Sequence, residues 1–219
     1  MNTETKDDNS HVSVSTAGDV NGDGYDDVIV GASRADRNVE YDYGIAGASR
    51  SDQDSSYWVS SYVVFGKANG FSAAMDLSSL DGSNGFILDK DMHFYASGLA
   101  GASVSNAGDV NGDGFDDVII GISRYGNGGS SYVVFGKASG FNAAMDLSSL
   151  DGKNGFRLEG GEENYYSGIS VSTAGDVNGD GFDDLIIGSW RYQQNAKWPD
   201  SSDVVFGKAS GFDATLNLS

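Results

Sequence analysis

Three nine-residue stretches of this chain place oxygen-bearing side chains at one spacing. They read Asp19-Val20-Asn21-Gly22-Asp23-Gly24-Tyr25-Asp26-Asp27, Asp109-Val110-Asn111-Gly112-Asp113-Gly114-Phe115-Asp116-Asp117 and Asp176-Val177-Asn178-Gly179-Asp180-Gly181-Phe182-Asp183-Asp184. Oxygens fall at positions 1, 3, 5 and 9, and glycines at positions 4 and 6. A hard cation such as Ca2+ is held by that kind of set, several oxygens converging from a short, sharply turned loop. Position 7, which is Tyr25, Phe115 or Phe182, would add a backbone carbonyl. Asn-Gly and Asp-Gly pairs also suit plain hairpin turns, because these residues tolerate positive φ. A turn does not need three carboxylates within nine residues, however, and they repel one another unless a cation lies among them. Three copies with every oxygen in place read as cation loops, with about three Ca2+ expected, one per loop.

Such a loop is only as good as the elements that hold it. In an EF-hand, position 12 is a bidentate acid on an exiting helix. Here position 12 is Val30, Ile120 or Ile187, and all are apolar. Directly after position 9 come Val28-Ile29-Val30, Val118-Ile119-Ile120 or Leu185-Ile186-Ile187, each ended by glycine. A short β-branched run bounded by glycine predicts a buried strand. Ahead of the loops, Val12 and Val14 alternate with serines, as do Ile169 and Val171, so a strand is expected to enter as well. The loop joins two strands, which sets the EF-hand aside.

Composition narrows the function classes. The chain has 219 residues, enough for one or two domains, with 32 glycines, one proline and no cysteine. That suits short strands and tight turns, without disulfides or thiolate metal sites. No apolar run approaches the roughly 20 residues a membrane helix requires. The first ten residues are polar and carry no secretory signal of the usual kind. The formal charge is −19, from 32 acids against 13 bases. A chain this acidic repels nucleic acid and anionic lipid, and without cations its loops oppose the compact state.

The self-similarity runs well beyond the loops. After a variable stretch comes Tyr62-Val63-Val64-Phe65-Gly66-Lys67, then Tyr132-Val133-Val134-Phe135-Gly136-Lys137, then Asp203-Val204-Val205-Phe206-Gly207-Lys208. A near-identical link occurs twice, at 71–80 and 141–150, and leads to Gly85-Phe86-Ile87-Leu88 and Gly155-Phe156-Arg157-Leu158. Each unit thus predicts strand, loop, strand, variable loop, strand, link, strand. Four short antiparallel strands per repeat describe a β-propeller blade.

With these residues the chain resembles FG-GAP repeats, the calcium-binding blades of integrin α-subunit propellers and of many bacterial surface proteins. The likeness spans nearly the whole chain, and its most specific part is the loop followed by an apolar strand. The family's closing Gly-Ala-Pro is altered to Gly31-Ala32-Ser33, Gly121-Ile122-Ser123 and Gly188-Ser189-Trp190. Its preceding Phe-Gly becomes Ser10-His11, Ala100-Gly101 and Ser167-Gly168. The resemblance implies that Asp19, Asn21, Asp23, the Tyr25 carbonyl and Asp27 bind one Ca2+. By the same likeness Asp109, Asn111, Asp113, Phe115 and Asp117 bind another, and Asp176, Asn178, Asp180, Phe182 and Asp184 a third. The expected fold is all-β, one propeller region over 1–219 in units of about 1–90, 91–159 and 160–219. The third unit stops short of its Gly-Phe-x-Leu strand. Three blades are fewer than the four to eight of closed propellers. The chain is therefore expected to be a piece of a larger ring, an open arc, or a unit that self-associates to complete one.

A second candidate surface lies in the variable loops. Arginine recurs three residues after the glycine that ends the second strand, as Arg34, Arg124 and Arg191. Tyr125, Trp190 and Tyr192 lie beside it. A rim of arginine and aromatic residues, opposite the cation loops, suits a carbohydrate or an acidic peptide. Pairing with neighbouring carboxylates and packing between blades is the commoner role for such residues. Signs of catalysis are thin: no cysteine nucleophile, no G-x-S-x-G elbow, no H-E-x-x-H, and two histidines outside any motif. The expected function, inferred from the family, is a non-enzymatic calcium-binding module for adhesion or recognition, outside the cell or on its surface. A calcium-stabilised scaffold or carbohydrate-binding part of a larger polysaccharide-active enzyme is the alternative.

Overall fold

Alternating apolar residues on either side of each acidic loop fold as strands in the computed structural model, which describes residues 11–33, 57–92, 102–123, 128–161, 165–191 and 201–218. The first unit contributes β1 (His11–Gly18), β2 (Asp27–Ser33), β3 (Tyr57–Val64) and β4 (Gly85–Met92). The second contributes β5 (Ala102–Gly108), β6 (Asp117–Ile122), β7 (Ser130–Val134), β8 (Ala144–Asp146) and β9 (Gly155–Glu159). The third contributes β10 (Tyr165–Gly175), β11 (Asp184–Arg191), β12 (Ser201–Val205) and β13 (Thr215–Asn217). Within a unit, consecutive long strands pair antiparallel, so β1-β2-β3-β4, β5-β6-β7-β9 and β10-β11-β12 are meanders. The expected all-β blades are present, and the strands that flank every acidic loop are hairpin partners.

The link between the third and fourth strands does more than connect. Residues 144–146 form β8, which pairs parallel with β4 of the preceding blade, through Ile87–Ala144, Leu88–Met145 and Asp89–Asp146. Residues 215–217 repeat this as β13 on β9, through Thr215–Arg157, Leu216–Leu158 and Asn217–Glu159. Each link therefore stitches its own blade to the outer strand of the one before it. A single 3-10 turn lies at Leu77–Ser79 and at Leu147–Ser149, capped by the Asp76 and Asp146 side chains.

Because side chains alternate across a strand, each blade presents two apolar faces. The face towards the next blade carries Val20, Ile29, Val63, Phe65, Phe86 and Leu88 in the first unit. The face towards the previous blade carries Val104, Val118, Ile120, Tyr132 and Val134 in the second, and the two interlock as one core. A second core repeats the arrangement one blade on, with Val110, Ile119, Val133, Phe135, Phe156 and Leu158 meeting Val171, Leu185, Ile187 and Phe212. Among the described residues, both hydrophobic cores are joints between blades. Link phenylalanines seal them: Phe141 stacks on Phe86 with ring centroids 4.1 Å apart, and Phe212 stacks on Phe156 at 4.2 Å.

Candidate metal centres

Each acidic loop sits at the β-hairpin turn between the first and second strands of its blade, at one rim of the sheets. Locally it is a nest of side-chain-to-backbone bonds. In the first loop the Asp23 N–H donates to Asp19 Oδ1 at 3.0 Å and to Asn21 Oδ1 at 2.8 Å. The Gly24 N–H donates to Asp19 Oδ2, and the Tyr25 N–H to Asp23 Oδ1. Asn21 Nδ2 donates to Asp23 Oδ2 at 3.2 Å. The same bonds recur in the second loop on Asp109, Asn111 and Asp113, and in the third on Asp176, Asn178 and Asp180. Side chains at positions 1, 3 and 5 thus converge on one side of the turn. Backbone N–H donors, the Gly181 N–H foremost, hold the exposed Asp176 carboxyl below the usual carboxylate range.

Position 9 behaves differently. Asp27, Asp117 and Asp184 are buried at the start of the second strand. Asp27 accepts the Val20 N–H at 3.1 Å and the Gly66 N–H at 2.8 Å. Asp117 and Asp184 make the equivalent pairs with Val110 and Gly136, and with Val177 and Gly207. This carboxylate ties the loop to the end of the third strand. Burial pushes the Asp27 carboxyl up to about 6 despite those donors, and Asp23 and Asp19 add to the rise. Asp117, with a blade on either side, is pushed up to about 8 by burial, aided by Asp113 and Asp109. A buried acid with so high a pKa is a group for which a neighbouring cation would be most favourable.

Among the described residues, no three His, Cys, Asp or Glu side chains are gathered closely enough to form a ready-made cation cage. The donor chemistry nevertheless fits a hard cation. All candidate ligands are oxygens, and positions 1 and 5 place two carboxylates on either side of one amide oxygen. Carboxylate oxygens that accept a single N–H, such as Asp109 Oδ2 and Asp113 Oδ1, keep a lone pair free for a metal, whereas Asp109 Oδ1 and Asp176 Oδ1 each accept two N–H bonds.

Position 8, which sequence reasoning misses, joins blades. The Asp116 carboxylate accepts the Asp19 N–H of the preceding loop at 2.8 Å, and Asp183 accepts the Asp109 N–H at 2.9 Å. Two backbone bonds run alongside: the Asp116 N–H to the Asp19 carbonyl, and the Lys137 N–H to the Val20 carbonyl at 2.9 Å. A side chain at Gly18 or Gly108 would collide with that aspartate, and one at Gly22 or Gly112 with the Phe115 or Phe182 ring. The position-7 aromatic therefore lies over the previous loop. Regular recurrence of an acid that is no ligand is the signal the sequence offers.

A model of the FG-GAP repeat matches residues 12–50, 100–134 and 167–195, once per blade. The chain carries FG-GAP repeats. Integrin alpha pat-2 of Caenorhabditis elegans is 34% identical to it over 97 residues, 43% of this chain and 7% of that protein. Integrin alpha-4 of Xenopus laevis is 30% identical over 91 residues, 41% of this chain and 8% of that protein. The matched portion is less than a tenth of the length of either relative.

Of the second candidate surface, Arg34, Arg124, Tyr125 and Tyr192 lie outside the described residues. Arg191 closes β11, and Trp190 beside it packs its ring on Tyr166, centroids 5.0 Å apart. The structure thus gives Trp190 a packing partner within its own blade.

Proposed function

We propose that the chain is a calcium-binding module of an FG-GAP propeller used for adhesion or recognition, in which Ca2+ stabilises the loops at one rim. The observation that carries this reading is the threefold loop: one hydrogen-bond pattern, three times, around oxygen donors at positions 1, 3 and 5, with a buried acid of raised pKa behind them in the first two. Asp19, Asn21, Asp23, the Tyr25 carbonyl and Asp27 would hold one ion, and their counterparts in the other loops two more. When bound, the ion supplies charge neutralisation where four acids per loop would otherwise repel. The chain's own part is to hold the turn open-mouthed through its N–H bonds and to anchor it through position 9.

Linkage sets the scale. An ion that binds only the folded form stabilises it by RT ln(1 + [Ca]/Kd) per site. At millimolar calcium, a site with Kd of about 10⁻⁴ M contributes roughly 1.4 kcal/mol. Such sites fill outside the cell and stay mostly empty in a low-calcium cytosol, which supports an extracellular or cell-surface setting. Family resemblance supports adhesion or recognition in place of catalysis, with a protein or carbohydrate as ligand. Isothermal titration of the metal-stripped chain with CaCl2 tests the metal reading. About three equivalents are expected, falling by one when Asp113→Ala and Asn111→Ala are combined. No heat of binding at millimolar Ca2+ would overturn it.

A further inference from the structure

The first three positions of an acidic loop are held by the blade that follows it. In the first loop Asp19 and Asn21 are candidate ligands, and Val20 between them is fully buried in the joint with the second blade. The second blade also grips this stretch by its backbone. Asp116 Oδ2 accepts the Asp19 N–H at 2.8 Å, and the Asp116 N–H donates to the Asp19 carbonyl at 3.3 Å. The Lys137 N–H donates to the Val20 carbonyl at 2.9 Å. The Phe115 ring fills the space beside Gly22, and Gly136 lies against the Val20 carbonyl.

The gripping residues belong to the second loop itself. Asp116 stands between Phe115 at position 7 and Asp117 at position 9, both ligands in the calcium reading of that loop. Asp117 accepts the Gly136 N–H at 2.9 Å, one residue before Lys137. The second joint repeats every part. Asp183 and Lys208 hold Asp109 and Val110, Phe182 covers Gly112, and Asp184 accepts the Gly207 N–H. Positions 7–9 of one loop and positions 1–3 of the loop before it thus form one hydrogen-bonded unit, and both such units lie inside the chain.

We propose that the calcium loops fill cooperatively, with Asp116 and Asp183 as the positioning residues that couple each loop to the one before it. This rests on the calcium reading given under the proposed function. When the Phe115 carbonyl and the Asp117 carboxylate are held on a cation, the Asp116 backbone between them is fixed. Asp116 then holds both backbone groups of Asp19, so the first ligand of the preceding loop is ordered in advance and its site costs less to fill. Linkage makes the effect reciprocal, so filling the first loop favours the second by the same factor. Repulsion between two dications opposes the coupling. Asp116 is not a ligand but carries negative charge where the two loops meet, which offsets that repulsion.

Titration of the full, metal-stripped chain with CaCl2, followed by the amide NMR signals of Gly24, Gly114 and Gly181, reads the loops one at a time. Each of these amides donates to the position-1 carboxylate of its own loop. In the wild type the signals should move together with a Hill coefficient above unity. Asn111→Ala combined with Asp113→Ala silences the second loop and leaves every ligand of the first in place. It should nevertheless weaken Ca2+ binding at Gly24 by about 5-fold or more. Asp116→Ala should do the same, whereas Asp116→Asn, whose amide oxygen still accepts the Asp19 N–H, should lose much less. Silencing the third loop with Asn178→Ala and Asp180→Ala should weaken Gly114 more than Gly24, an order that a global change in folding would not produce. Equal weakening of the two, an asparagine variant as weak as the alanine one, or a Gly24 response indifferent to the silenced second loop would overturn the coupling and leave calcium binding standing. No shift at any of the three amides up to millimolar Ca2+ would overturn both.

Discussion

Aspartates only one position apart in the loops do different work, and the difference is measurable. Position 9 is buried, and its pKa in the folded state, about 6 for Asp27 and about 8 for Asp117, lies above the ordinary 3.8. The folded chain therefore holds these protons more tightly than the unfolded one. Their contribution is fully present below about pH 4 and is lost as pH rises past each folded pKa. Metal-stripped protein should melt at progressively lower temperature from about pH 4 to about pH 8. Calcium should invert the trend, since it needs the ionised carboxylates and protons displace it on acidification. Melting curves at a few pH values, with and without Ca2+, check both slopes, and parallel curves would contradict the loop assignment. Position 8 carries a different prediction. Asp116→Ala strands the Asp19 N–H and should cost about 1–3 kcal/mol. Asp26→Ala, which breaks no bond between blades among the described residues, should cost about 0.5 kcal/mol or less in urea titrations.

At the level of elements, what a strand faces decides its worth. Phe156 is fully buried, stacked on Phe212 and tilted against Phe135 at 5.8 Å. Replacing it by alanine should cost about 3–5 kcal/mol, whereas Phe71→Ala, on an exposed ring, should stay within about 0.5 kcal/mol. The paired urea midpoints would show whether the link phenylalanines are the seals their geometry indicates. Much of this is legible in the sequence. The β-branched runs after each loop, such as Val118-Ile119-Ile120, announce β6, and the Gly-Phe-x-Leu runs announce β4 and β9. Ala144-Met145-Asp146 does not announce β8, because three residues show no alternation and their partner strand belongs to the preceding blade. Asp116 is equally silent: the group it serves lies 97 residues earlier, and local patterning carries no information across that distance. Within-blade structure is local and readable, whereas joints between blades are not.

Over the whole chain, stability should be distributed as in other arrays of stacked units, where each repeat is held by its own hydrogen bonds and by its nearest neighbours. Among the described residues the middle blade has two neighbours and each outer blade one. Accordingly every residue of β6 is buried, while β12 is mostly exposed or half-buried. Opening of the third blade breaks one joint and leaves the other core intact, so it should occur at a lower free energy than global unfolding. Native-state hydrogen exchange in Ca2+ should therefore find the slowest amides in β6 and β7, and faster exchange in β12, with β1 fraying separately from the other end. Because Asp183 links the third loop to the second, Asp183→Ala should speed exchange throughout β10–β12 while leaving β2 and β3 unchanged. If instead all three sheets exchanged at one common rate, the blades would be folding as a single unit, and the joints would be stronger than the blades they connect.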